Sequence, residues 1–180
     1  MPIPGKVHTR HLIAAVLFCA GVWAVIPAAA LAQGAQVGLT GFSYDPAEPV
    51  EVTADSLTVD QGDRSSVFTG NVVVGQGDMR LGAGNLRIEY RLNDAGGVEG
   101  IARLLASGGV TLAAGAEAAE AQEAVYDLSE SRIVMTGGVL LTQGPNAISG
   151  DRLVVDLASG TGRMEGRVRT VLMPQDRPAE

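Results

Sequence analysis

The 180-residue chain has one cysteine, one tryptophan, two histidines, three tyrosines and three phenylalanines. Its only lysine is Lys6, and Cys19, Trp23, His8 and His11 likewise precede Gln33. Each scarcity excludes a chemistry. With no histidine or cysteine beyond Ala32, neither a Ser-His-Asp nor a Cys-His nucleophile can be assembled there. A zinc site of cysteine and histidine ligands is excluded for the same reason. Without lysine there is no phosphate-cradling loop of the Gly-rich, lysine-ended kind. Phe42, Tyr44, Phe68, Tyr90 and Tyr126 are too few and too scattered to stack bases, and a formal net charge of −7 leaves no basic face for nucleic acid. No disulfide can staple residues 33–180, so a hydrophobic core or backbone ladders must hold them.

The residues that are scarce later cluster at the start because the start is an address. Lys6, His8, Arg10 and His11 precede an apolar run from Leu12 to Ile26, and Ala30-Leu31-Ala32 supplies a small-x-small site before Gln33. This is the pattern of a secretory signal cleaved after Ala32, with a run too short to span a membrane comfortably. An uncleaved anchor is the alternative. Lipid attachment at Cys19 fits less well, because Phe18 stands where a small residue is wanted.

What the rest of the chain has is repetition. Phe68-Thr69-Gly70-Asn71-Val72-Val73-Val74-Gly75-Gln76-Gly77 returns as Met135-Thr136-Gly137-Gly138-Val139-Leu140-Leu141-Thr142-Gln143-Gly144. Weaker copies occur at Ala106–Leu112 and Met164–Arg169, which aligns Gly70, Gly108, Gly137 and Gly166. A second element, small-x-x-Leu-x-apolar-acid, begins at Ala54, Ala83, Ala121 and Gly150. Both alternate apolar and polar residues at period 2, as strands with one dry face do. Self-similarity of this kind marks a repeat architecture.

Strands are expected from Glu51 onward, with turns at 61–64, 75–78 and 93–97. Ala113–Glu123 has the composition of a helix. The alignment of Ala121–Asp127 with three strand copies makes it a strand instead. Between Ala83 and Leu86 the inward phase shifts by three residues, the sign of a bulge or corner. The class is antiparallel all-β. A parallel β-helix is the alternative, disfavoured by the unequal repeat spacing. Residues 33–49 read as a flexible leader, 50–171 as the β domain and 172–180 as a disordered tail.

Carboxylates are the remaining reactive groups. Asp60, Glu89, Asp127 and Asp156 recur at matching positions. Each follows an inward apolar residue, so period 2 turns it outward, and each closes a strand. A hydrolase carboxylate pair is therefore not indicated. The pairs Asp60 with Asp63 and Asp151 with Asp156 lie in no recognised calcium loop, so no metal or cofactor is expected.

The inward stripe is the feature with functional content. It comprises Leu57, Val59, Phe68, Val72, Val74, Leu81, Leu86, Ile88, Leu104, Val110, Leu112, Ile133, Met135, Val139, Leu141, Ile148, Leu153, Val155, Met164 and Val168. Narrow aliphatic side chains spaced by glycines leave room for acyl chains, whose burial contributes about 0.8 kcal/mol per methylene. An ordinary Val/Leu core has the same composition, and the two readings stay open here.

The strings Val67-Phe68-Thr69-Gly70-Asn71-Val72, Ala106-Ser107-Gly108-Gly109-Val110, Met135-Thr136-Gly137-Gly138-Val139 and Ser149-Gly150-Asp151-Arg152-Leu153 resemble the OstA-like repeat. Over about Val50 to Val171 the chain is similar to the LptA family of periplasmic lipopolysaccharide transport proteins. The resemblance implies two facing antiparallel sheets open along one side, a jelly roll shaped like a taco. It implies a non-enzymatic role: lipid A acyl chains held inside, and domains stacked head-to-tail through their end strands. The stack would bridge an inner-membrane LptC-like protein to an outer-membrane LptD-like translocon. Arg80, Arg87, Arg91, Arg103, Arg132 and Arg152 are the candidates for a basic rim toward an anionic headgroup. An anchored LptC-like relative and a ligand-free envelope scaffold are the alternatives.

Overall fold

In the chain's period-2 segments every second side chain must find cover, and each segment finds it against its neighbours in sequence. A computed structural model describes residues 35–39, 41–42, 45 and 47–174. The segment expected to be a secretory signal and the residues after 174 lie outside these. The strands are β1 (Ala35–Gly38), β2 (Glu51–Thr53), β3 (Ser56–Asp60), β4 (Ser65–Gln76), β5 (Met79–Leu92), β6 (Val98–Ala114), β7 (Glu117–Asp127), β8 (Arg132–Gln143), β9 (Asn146–Asp156), β10 (Thr161–Glu165) and β11 (Arg169–Val171). No helix occurs among the described residues.

All strands belong to one antiparallel sheet in the order β1-β10-β9-β8-β7-β6-β5-β4-β2, with β3 also on β4 and β11 also on β9. The two facing layers expected from the sequence are thus two leaves of a single sheet, creased along a line that crosses the long strands β4 to β9. β2 and β3 are the two halves of one interrupted edge on β4; at the other end β10 and β11 pair with the two halves of β9, and β1 lies outside β10. β7 is a strand throughout despite its Ala and Glu content. Its alanines Ala119, Ala121 and Ala124 are buried, so tertiary pairing overrides helix propensity.

The repeated glycines make the crease. The ladder slips between Thr69 and Val72 on β4, between Ser107 and Val110 on β6, and between Thr136 and Val139 on β8. At each slip two residues in succession take positive φ. They are Gly108 (83°) with Gly109 (81°), and Gly137 (91°) with Gly138 (75°), a region a side chain rarely enters. On β4, and at the break between β10 and β11, the same place is taken by Gly70-Asn71 and Gly166-Arg167. There the second residue keeps a side chain and is tied down: Asn71 Nδ2 donates to Asp55 Oδ2 (2.8 Å), and Arg167 holds Asp151 (2.7 Å). β5, β7 and β9 carry no extra residue at these slips. On them the inward set changes parity instead, as the phase shift from Ala83 to Leu86 indicated.

The leaves face one another. In one leaf Leu57, Phe68, Leu86, Ala106, Ala124, Met135, Leu153 and Met164 share a register row from β3 to β10. In the other, Val52, Val74, Leu81, Leu112, Ala119, Leu141 and Ile148 share a row from β2 to β9. Both rows contribute to one apolar cluster. A buried hydrogen bond from Tyr126 Oη to Gln76 Oε1 (2.9 Å) crosses between the leaves. The packing is close enough that a side chain on Gly150 would collide with Met164 of the opposite leaf, its Cβ falling 2.6 Å from the Met164 Cγ.

The span expected to be an unstructured leader departs from that reading. Within it β1 pairs with β10 from Ala35↔Met164 to Gly38↔Thr161, and Leu39 and Phe42 are buried. The sequence of this stretch has no period, because its apolar residues enter the core singly rather than as a face.

Candidate functional site

The expected aliphatic stripe falls into three groups. Val72, Val74, Leu81, Leu86, Ile88, Leu104, Val110, Leu112, Ile133, Met135, Val139, Leu141, Ile148, Leu153, Val155 and Met164 are all buried inside the creased sheet. Phe68 is half-buried and packs against that cluster. Leu57 and Val59 occupy inward rows of β3 yet are 54% and 62% exposed. β4 covers one side of them, and no strand continues the sheet on the other. Val168 is also exposed, at the break between β10 and β11 just past the Gly166-Arg167 crease. The stripe is therefore a continuous apolar inner face, closed along its middle by the opposing leaf and open to solvent at the β3 edge.

Several residues with no sequence-level role line the rims of this trough. Gln76 and Gln143 are repeat equivalents and end β4 and β8 on the same leaf. Gln76 accepts from Tyr126 and donates through Nε2 to the Glu48 carbonyl (3.1 Å). Gln143 Nε2 donates to the Gly38 carbonyl (2.8 Å) and to Glu117 Oε1 (2.9 Å). Glu117 Oε2 accepts from the Gly41 amide (3.2 Å). Recurrence of Gln-Gly at both strand ends was the available signal; which groups the glutamines meet depends on chain far away in sequence.

The recurring acids are spent on turns and ion pairs. Asp60 Oδ1 accepts from the Gly62 amide (2.7 Å). Asp127 Oδ1 accepts from the Ser129 hydroxyl (2.6 Å) and the Ser129 amide (3.0 Å), and these bonds hold its carboxyl below the usual aspartate range. Asp156 is lowered in the same way by the Ser159 amide and hydroxyl. Glu89 pairs with Arg103 (2.7 Å). The arginines considered for a basic rim are mostly neutralised on the outer surface: Arg87 by Asp63, Arg91 by Glu99, Arg132 by Glu130 and Arg152 by Glu165. Arg80 donates to the carbonyls of Gly77 and Met79. These charges tie neighbouring strands together and do not converge on the trough.

The likeness to known proteins agrees with this architecture. A family model described as LptA/(LptD N-terminal domain) LPS transport protein matches residues 51–161. A protein of Rhizobium meliloti (strain 1021), named only as uncharacterized, is 33% identical over 125 residues, 67% of this chain and 67% of that one. The crystal structure of LptH from Pseudomonas aeruginosa is described as the LptA homologous periplasmic component of a lipopolysaccharide transport device. It superposes with a TM-score of 0.61 at 19% identity, over 71% of this chain and 96% of that one, which is a likeness of fold. With more than half of its length matched by the family model, the chain belongs to the LptA and LptD N-terminal-domain family of lipopolysaccharide transport proteins.

Proposed function

We propose that the chain is a periplasmic carrier and bridge for lipopolysaccharide. It takes the lipid A acyl chains between its two leaves and passes them from an inner-membrane LptC-like partner toward an outer-membrane LptD-like translocon. The observation that carries this reading is the single aliphatic inner face that runs from β3 to β10 and reaches solvent at Leu57 and Val59. An apolar face left wet at a sheet edge is costly unless something covers it. A second copy, or a partner of the same fold, laid edge to edge would cover it and continue the trough. The other end offers a matching feature: β11 has one unpaired edge, and Val171, Leu172 and Met173 beside it are exposed. Head-to-tail pairing of such edges is strand addition, with backbone ladders supplying affinity.

The tight middle of the trough favours a second reading, a scaffold that assembles without ligand. Leu86, Leu112, Ile133, Leu141 and Leu153 are fully buried by protein alone, as in an ordinary core. Native mass spectrometry of the protein mixed with lipopolysaccharide separates the two. Bound lipid A species on monomers or ordered oligomers support the carrier. Oligomers that never bind lipid at any concentration support the scaffold and make the stripe a core.

A further inference from the structure

One part of the trough is filled by chain that belongs to neither leaf. Leu39 and Phe42 are 1% and 4% exposed, although they lie in no strand. Leu39 sits in a socket that exists because residue 162 is glycine: a Cβ there would fall 2.9 Å from the Leu39 Cδ1. The Leu39 amide donates to the Gly160 carbonyl (2.9 Å), beside β10. Two residues on, Gly41 lies against the rim of the opposite leaf, so close that any side chain on it would run into the Ala114 carbonyl. The polar groups that seat this chain are the adjacent pair Glu117 and Gln143, which meet the Gly41 amide and the Gly38 carbonyl. Glu117 is only 8% exposed, so this carboxylate is committed to the rim. Gly38 and Leu39 thus meet one leaf at β10, and Gly38 and Gly41 meet the other at β7 and β8.

We propose that Leu39 and Phe42 are a built-in occupant of the trough, seated by Glu117 and Gln143, which an incoming acyl chain displaces. The inference rests on the carrier reading and adds its regulation. Aliphatic and aromatic side chains in the interior are chemically what an acyl chain is, so occupant and ligand compete for the same dry surface. Past the β1 ladder on β10, the described anchors of Leu39 to Phe42 are the backbone bond to Gly160 and the rim contacts to Glu117 and Gln143. A ligand that buries more apolar area than two side chains wins the exchange, and the occupant keeps the inner face dry until then.

Two variants of the full chain test this. The first, Leu39→Ser with Phe42→Ser, removes the apolar occupant. The second is Leu39→Cys with Gly162→Cys in a Cys19→Ser background. In it the Cβ at 162 stands 3.3 Å from the position of the Leu39 Cγ, within reach of a reversible disulfide. Each is titrated with lipopolysaccharide and, separately, with the small apolar fluorophore N-phenyl-1-naphthylamine, after circular dichroism establishes that it is folded.

The serine variant is expected to bind lipopolysaccharide about ten-fold more tightly than the parent, a 1.4 kcal/mol change. The oxidised cysteine pair is expected to bind at least about ten-fold more weakly and to recover on reduction. Equal affinity of the oxidised and reduced pair overturns the displacement while leaving the carrier intact. If the parent binds no lipopolysaccharide but the serine variant takes up the fluorophore and the parent does not, the carrier reading fails and the occupant stands as a cover. If the parent and both variants take up neither ligand, both readings fall.

Discussion

Leu57 and Met164 stand in the same register row at opposite ends of the sheet, with their side chains on the same face. Leu57 is more than half exposed and Met164 is fully buried. Period 2 places both inward, yet only one is covered. The difference is made outside the row. Around Met164 the sheet continues into β1, where Ala35 pairs with it. Around Leu57 the sheet stops. Alternation thus fixes the face on which a side chain lies; whether that face is dry depends on what packs over it.

The widest expected contrast is in stability. Leu153→Ala, one strand in from Met164, should cost about 2–5 kcal/mol through the cavity it leaves. Leu57→Ala at the other end should leave the urea midpoint almost unchanged. Equal losses would break the comparison. Phe42→Ala empties a buried position that no strand supplies and should cost about 2–3 kcal/mol in the same denaturation series. Tyr126→Phe removes the bond to Gln76 that spans the leaves. A loss of about 1–2 kcal/mol in chemical denaturation is expected, since the amide oxygen loses that donor.

Leu57→Ser with Val59→Ser should change monomer stability by less than about 0.5 kcal/mol but weaken self-association in sedimentation velocity. Unchanged association would separate the exposed inward pair from any interface. The smallest effect compares the two edges of the crease. Arg167 holds the Asp151 carboxyl below its ordinary value of 3.8. A depressed pKa contributes stability above the unfolded value and loses it as pH falls through the folded one. Asp151→Asn should therefore lose a little stability at neutral pH and show a shallower decline than the parent below pH 3.8. The pair is exposed, so added salt should shrink the difference.

Most of the fold was legible because it is repetitive. Each hairpin copies its neighbours, so weak signals at Gly70, Gly108, Gly137 and Gly166 reinforced one another and outvoted helix propensity in β7. The same repetition located the crease, since the paired positive φ values fall on the aligned glycines. The trough was legible as a face but not as a volume. Leu57, Val59 and Val168 read like Leu153 and Val155, because nothing in a strand's own residues records where its sheet ends. Leu39 and Phe42 carry no periodic signal, and the burial of Leu39 depends on Gly160 and Gly162, far along the chain. Gln143 recurs with Gln76 in the repeat, but the rim role of Glu117 carried no signal: a carboxylate in a strand looks outward until the segment it binds is known.

Almost every ladder in this sheet joins strands that are neighbours in sequence, so each hairpin can close with little loss of chain entropy. β2 on β4 and β11 on β9 skip a single strand, whereas the pairing of Ala35 with Met164 must bring the first strand to nearly the last. A chain that zips from hairpin to hairpin has no partner for β1 until β10 is in place. Amides of β1 should therefore gain protection last in pulsed hydrogen exchange during refolding, and simultaneous protection of β1 and β6 would contradict this order. The maturing protein consequently passes through a stage in which its interior is built and its N-terminal segment is still loose, the stage most exposed to aggregation and to capture by whatever apolar molecule is nearby.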